Sequence, residues 1–113
     1  MTVRLLDVAQ QELEEAVAYY NGQAPGLGDA FLLEVVSAID RISRHPRAWH
    51  PLGKNTRRCR LRRFPYGLIY HQDQEGILIV AVAHSHRRPG YWRDRLNLPA
   101  PSARRRPRGG GDA

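Results

Sequence analysis

From Ile77 to Ala83 the chain reads Ile-Leu-Ile-Val-Ala-Val-Ala, seven apolar residues without a polar interruption. A run this short, led in by the turn chemistry of Asp73-Gln74-Glu75-Gly76, is a strand. Because it lacks the alternation of a half-exposed strand, both of its faces are covered, and it belongs to the interior of a sheet. It is far too short to cross a bilayer, which takes roughly 20 apolar residues as a helix. The remaining sequence therefore has to supply both neighbouring strands and at least one covering layer.

Strand-like runs lie just upstream. Arg57 to Phe64 alternates Cys59 and Leu61 with Arg58, Arg60 and Arg62, and Tyr66 to His71 follows directly on Pro65. Arg47 to Thr56 is rich in Pro, Gly, His and Trp and reads as a loop. At the start of the chain, Thr2 to Leu6 forms a short strand. Asp7 then stands as an N-cap with Gln10 in a capping-box position. Ala9, Leu13, Ala16, Val17 and Tyr20 recur at helical spacing, with Glu12, Glu14 and Glu15 largely off that stripe, and Asn21-Gly22 ends the helix. After a short connector through Pro25 and Gly26, a second helix starts at Gly28 or Asp29. Phe31, Val35, Ile39 and Ile42 form its stripe, widened by Leu32, Val36 and Ala38, and His45-Pro46 closes it. So short a connection favours an antiparallel hairpin.

The expected fold is α+β: an N-terminal strand, then a two-helix antiparallel hairpin packed on a largely antiparallel sheet of about four strands, in the order β-α-α-β-β-β. A length of 113 residues suits one domain, placed at 1–98. Residues 99–113 are a Pro/Arg/Gly-rich basic stretch with almost nothing to bury, expected to be a disordered tail. The hairpin covers only one face of the sheet. Either Arg87 to Leu98 folds back over the other, or a partner protein covers it. The single cysteine, Cys59, permits no intramolecular disulfide, and Met1 to Asp7 is no signal peptide, so a soluble cytoplasmic protein is expected.

The net charge of +7 is unevenly placed: residues 1–46 sum to −4, residues 47–98 to +8 and the tail to +3. An anionic partner is the first expectation. Residues two apart on a strand share a face at about 6.6 Å per step, so Arg58, Arg60 and Arg62 would form a row, enlarged by Arg57, Arg63 and Lys54. Such a row is either a solvated strand face or a groove for a phosphate backbone or an acidic peptide. Phe64, Tyr66 and Tyr70 nearby can stack on bases or simply pack in the core.

The segment His84-Ser85-His86-Arg87-Arg88-Pro89-Gly90-Tyr91-Trp92 holds the remaining chemistry. Imidazoles titrate near neutral pH, so His84 or His86 can move a proton, while Arg87 and Arg88 can hold a phosphate. His84 is equally able to serve as an ordinary strand-end residue bonded to backbone. No third ligand accompanies the two histidines, so no metal or cofactor is expected. With Tyr91 and the arginines these groups would suffice for metal-independent RNA cleavage, in which a ribose 2′-hydroxyl attacks the adjacent phosphate.

The combination of Glu14-Glu15-Ala-Val-Ala-Tyr-Tyr20, Pro25-Gly-Leu-Gly28 leading to Phe31, Pro46, Arg63-Phe-Pro-Tyr-Gly-Leu-Ile-Tyr70 and Ala81-Val-Ala-His-Ser-His-Arg-Arg-Pro-Gly-Tyr-Trp92 resembles the RelE/ParE superfamily of bacterial toxins. The resemblance implies the fold already read, and a cognate antitoxin whose C-terminal region wraps the toxin in a hetero-oligomer. It leaves two activities open: inhibition of DNA gyrase, as in the ParE branch, or ribosome-dependent cleavage of messenger RNA, as in the RelE branch. The helical hairpin motif and the Arg-Arg-Pro-Gly-Tyr-Trp ending favour the ParE or plasmid-stabilisation branch; a degenerate toxin that only binds an antitoxin is the third option. If RelE chemistry applied, Arg62, Arg87 and Tyr91 would carry it, with His84 added from the residues themselves. Lys54, Arg58, Arg60, Arg62, Arg88 and Trp92 are the expected nucleic-acid or antitoxin contacts.

Overall fold

The computed structural model describes residues 2–97, so the expected basic tail at 99–113 lies outside the described residues. The elements are β1 (Val3–Leu5), α1 (Asp7–Gln23), α2 (Leu27–Arg44), β2 (His50–Gly53), β3 (Thr56–Arg60), β4 (Tyr66–Asp73) and β5 (Gly76–His84), followed by a 3₁₀ turn at Arg93–Asn97. They form one sheet in the order β1-β5-β4-β3-β2. β1 runs parallel to β5, and every other pairing is antiparallel. The strand made of the apolar run is thus flanked on both sides, as its lack of alternation requires.

The sheet has five strands rather than four, because β2 lies inside the stretch read as a loop. Pro51 is tolerated there since β2 is an edge strand bonded on one side only. Asn55, at φ 62°, makes the tight return into β3, a backbone region that asparagine tolerates better than most residues. Composition advertised the turn and concealed the pairing.

The helix ends also differ from expectation. Asp7 is the first residue of α1, not its cap; Leu6 stands at the cap position without a side-chain bond, and the Asp7 carboxylate complements the positive end of the helix. α1 continues past Asn21-Gly22 to Gln23. Asn21 does not terminate its own helix because its side chain serves the next one: Oδ1 accepts the Gly28 N–H at 2.7 Å. α2 starts at Leu27, one residue earlier than read, after Gly26 in the left-handed region at φ 82°. A Cβ on Gly28 would lie 2.1 Å from the Val17 carbonyl oxygen, so glycine here allows the two helices to close.

The hairpin packs Ala9, Leu13 and Ala16 of α1 and Phe31, Val35, Ala38 and Ile42 of α2 on the sheet. Tyr20, Phe31, Phe64 and Tyr66 form a cluster of tilted and edge-on rings with centroids 4.9–6.1 Å apart. Leu32 and Val36 do not widen the buried stripe. They are 38 % and 55 % exposed and, with Leu33 at 70 %, leave an apolar strip on the outer side of α2.

Opposite the helices, cross-strand register places Arg58, Ile69 and Ala81 in one row and Arg60, Gly67 and Ala83 in the next. The segment after β5 folds back over this face and brings Trp92 to 3 % exposure. The second layer is therefore supplied at least in part by the chain itself.

Candidate functional site

β1 covers the outer edge of β5 only as far as Ile79. Beyond it the β4–β5 register pairs Ile69 with Ala81 and Tyr70 with Ile79, so Val80 is an unpaired bulge residue. With β1 ended, no strand lies beside the Val80 carbonyl and the Val82 amide on this edge, and the side chains of two residues far apart in sequence take them. Glu12 Oε1 accepts the Val82 N–H at 3.0 Å, and Arg95 Nη1 donates to the Val80 carbonyl at 3.0 Å. The same two side chains form a bidentate pair, Nη1 to Oε1 and Nη2 to Oε2, each at 2.9 Å. Their side chains are only 13 % and 14 % exposed. Glu12 Oε2 also accepts the Tyr91 hydroxyl at 2.9 Å.

This network fixes the segment that walls a groove of about 240 Å³ on the sheet face away from the hairpin. β3 contributes Arg58 and Arg60, β4 contributes Gly67 and Ile69, the last residue of β5 contributes His84, and the returning segment contributes Arg87, Arg88, Tyr91, Trp92 and Arg93. The guanidinium carbons of Arg87 and Arg95 lie 3.9 and 5.0 Å from the Tyr91 ring centroid, and that of Arg93 lies 4.7 Å from the Trp92 ring. Among the described residues, Arg58, Arg60, Arg87, Arg88 and Arg93 make no salt bridge. The Arg58 stem crosses Gly67, where a Cβ would stand 3.2 Å from Arg58 Cγ, and Arg58 Nε is buried without a hydrogen-bond partner. Burial, and secondarily the charge of Arg60, lower the Arg58 pKa. This is a cationic cleft with no carboxylate in its lining.

The proton-moving groups sit less freely. Burial first, and then the hydrogen bond to Glu12, push the Tyr91 hydroxyl up to about 12. Its proton points into the Glu12 network. His84 Nδ1 accepts the His86 amide at 3.0 Å, so its neutral ring carries the proton on Nε2 and has no spare lone pair. The His84 ring stands edge-on to Tyr66 at 5.0 Å and to His86 at 5.1 Å.

Of the expected contacts, Arg58, Arg60, Arg88 and Trp92 line the groove together with His84, Arg87 and Tyr91, whereas Lys54 and Arg62 do not. Lys54 is in the β2–β3 turn. The row of three arginines is broken because β3 ends at Arg60 and the chain turns away: Leu61 donates its N–H to the Tyr66 carbonyl at 2.9 Å. Glu34 of α2, 12 % exposed, accepts the Arg62 and Arg63 amides and pairs with Arg63. Trp92 fills space under the segment, so its ring is a wall and not an open platform. Glu12, Arg93 and Arg95 were missed. For Glu12 a signal existed: three residues after Ala9 and four before Ala16, it falls on the buried face of α1.

Among the described residues, no three histidine, cysteine or carboxylate side chains gather as a metal-ligand set, and no helix is long and apolar enough to cross a membrane. Cys59 is fully buried, and burial raises its thiol pKa against the pull of Arg41 and Arg62.

Comparison with known proteins gives a consistent family. The model for the ParE toxin of the type II toxin–antitoxin system parDE matches residues 3–89. Toxin ParE2 of Mycobacterium tuberculosis, in strains CDC 1551 / Oshkosh and ATCC 25618 / H37Rv alike, is 35 % identical over 88 residues, which cover 77 % of this chain and 84 % of the relative. A solved structure titled as the chromosomal ParDE toxin–antitoxin system from P. aeruginosa superposes with a TM-score of 0.65 at 15 % identity, over 74 % of this chain and 95 % of that one, a likeness of fold. The chain belongs to the ParE toxin family of type II toxin–antitoxin systems.

Proposed function

We propose that this toxin stops growth by binding and inhibiting DNA gyrase in the cytoplasm, and that a cognate antitoxin holds it inactive in a hetero-oligomer. The observation that carries this choice over RNA cleavage is the Tyr91 hydroxyl, which donates to Glu12 with its pKa raised to about 12 instead of facing a substrate. A general acid or base works best with a pKa near the operating pH. The neutral His84 ring, with Nδ1 occupied by a backbone amide, does not replace it as a base. A binding mode is favoured by the exposed strip of Leu32, Leu33 and Val36, since apolar groups gathered on a surface mark protein contacts.

The second reading, ribosome-dependent messenger cleavage without a metal, draws on the groove arginines next to His84 and His86. Two assays on the purified toxin separate them. Supercoiling of relaxed plasmid by gyrase is expected to stop, and messages on stalled ribosomes are expected to stay intact; cut messages with unimpaired supercoiling would reverse the assignment.

A further inference from the structure

We propose that the edge of β5 from Val80 to His84 is a pairing surface for a second copy of this chain, and that the Glu12–Arg95 pair is the guard that keeps it closed. This goes beyond gyrase inhibition and does not depend on it. A strand edge without a neighbour is a template for another strand, and charged side chains set against it are one way in which proteins prevent that. β1 leaves β5 after Ile79. The Ile79 carbonyl still accepts the Leu6 N–H at 3.0 Å, so across the same trans peptide the Val80 N–H points inward to β4, and only the Val80 carbonyl faces the open edge. The Val82 N–H faces that edge too, toward Glu12, and its carbonyl goes the same way, since a residue of an antiparallel ladder sends both groups to one side. The His84 N–H follows two residues on. Opposite it, the Tyr66 carbonyl turns to the Leu61 amide at 2.9 Å and not to β5. The His84 carbonyl is already taken by the Arg87 N–H at 3.0 Å.

The edge therefore offers an acceptor alone at Val80, both groups at Val82 and a donor alone at His84. That order is its own complement. About a twofold axis through Val82, an antiparallel copy exchanges both bonds between the two Val82 residues, and each His84 N–H meets the Val80 carbonyl of the other copy. An ordinary strand laid here would bring a carbonyl opposite Val80 and an amide opposite His84 with nothing to bond, a cost that the second copy avoids. On the α1 side, a cleft of about 250 Å³ lined by Ala16, Tyr19, Tyr66 and Val82 leaves room beside the edge. What stands in the way is the guard: Glu12 occupies the Val82 N–H and Arg95 the Val80 carbonyl, and an incoming strand has to strip both.

The test is light scattering of the full-length chain on a sizing column across a dilution series. The parent is expected to be monomeric. Glu12→Ala with Arg95→Ala removes both charges together, so neither is left buried alone, and should double the mass at the concentrated end while slowing hydrogen exchange at the Val82 and His84 amides. Adding Val82→Pro should restore the monomer: proline is tolerated on an edge, and the N–H it removes takes part in no ladder bond within the chain. If circular dichroism shows the double variant unfolded, Arg95→Lys replaces it; lysine keeps the charge, loses the planar fork that spans Glu12 and the Val80 carbonyl, and should dimerise more than the parent. A parent that is already dimeric and becomes monomeric with Val82→Pro, a folded unguarded variant that stays monomeric, or a dimer that survives Val82→Pro would each overturn the proposal.

Discussion

Glu12 and Arg95 stand 83 residues apart in the chain and meet through two parallel 2.9 Å hydrogen bonds at the open edge of β5. Each also takes one of the two backbone groups, the Val80 carbonyl and the Val82 amide, that lie past the end of β1. The pair thereby does three things at once: it completes a sheet edge, fastens the C-terminal segment to α1, and holds the Tyr91 hydroxyl away from the groove. Removing one partner leaves the other as a buried, unpaired charge beside an unsatisfied backbone group.

Glu12→Gln is accordingly expected to cost about 3–5 kcal/mol in urea unfolding, the range for breaking a buried pair from one side. Glu14→Gln, on the exposed side of the same helix, should change stability by no more than about 0.5 kcal/mol. Equal effects of the two substitutions would show that the network contributes nothing.

Tyr70, whose hydroxyl donates to the Pro46 carbonyl at 2.5 Å, and Tyr91 are each raised to about 12, in both cases mainly by burial. A pKa higher in the folded than in the unfolded chain means that folding favours the protonated form. The associated stability is complete below pH 10 and is lost as pH rises toward 12. Unfolding free energy followed from pH 8 to 12 should therefore fall above about pH 10, and Tyr91→Phe should reduce that fall.

Gly22 and Gly28 sit six residues apart, on either side of the turn between the helices, and should respond in opposite directions. A Cβ at Gly22, inside α1, meets nothing within 4 Å, so Gly22→Ala is expected to stabilise by about 0.5–1 kcal/mol through helix propensity. A Cβ at Gly28 meets the Val17 carbonyl at 2.1 Å, so Gly28→Ala is expected to cost about 1–3 kcal/mol or more as the hairpin opens. Thermal melts of the two variants check the contrast.

Cys59 is fully buried and its thiol is raised by burial, so an aromatic disulfide reagent should label it at the rate of unfolding and not on mixing. Fast labelling in native buffer would mean that the β3 core opens readily.

The fold was legible because its signals are local. The unbroken Ile77–Ala83 run demanded an interior strand, and stripes such as Leu13-Ala16 and Phe31-Val35 demanded two helices facing a core. What failed were features set by contacts distant in sequence. The arginine row seemed to extend through Arg62 until Glu34, 28 residues earlier, pinned the Arg62 amide to α2. Glu12 looked like one more surface acid because alternation and helical period grade residues by polarity, and a buried carboxylate answered by Arg95 defeats that grading. The outer face of α2 shows the same limit in reverse: Val36 had the right spacing for the core and the wrong neighbours.

The most direct measurement is gyrase supercoiling of relaxed plasmid in the presence of purified Tyr91→Phe toxin, with its fold verified by circular dichroism. A hydroxyl that serves only to hold the C-terminal segment can be removed with at most a modest loss of stability, so under the proposed function parent and variant should inhibit gyrase alike. A variant that folds normally but leaves supercoiling untouched would contradict a purely structural role for that hydroxyl and return Tyr91 to the functional surface.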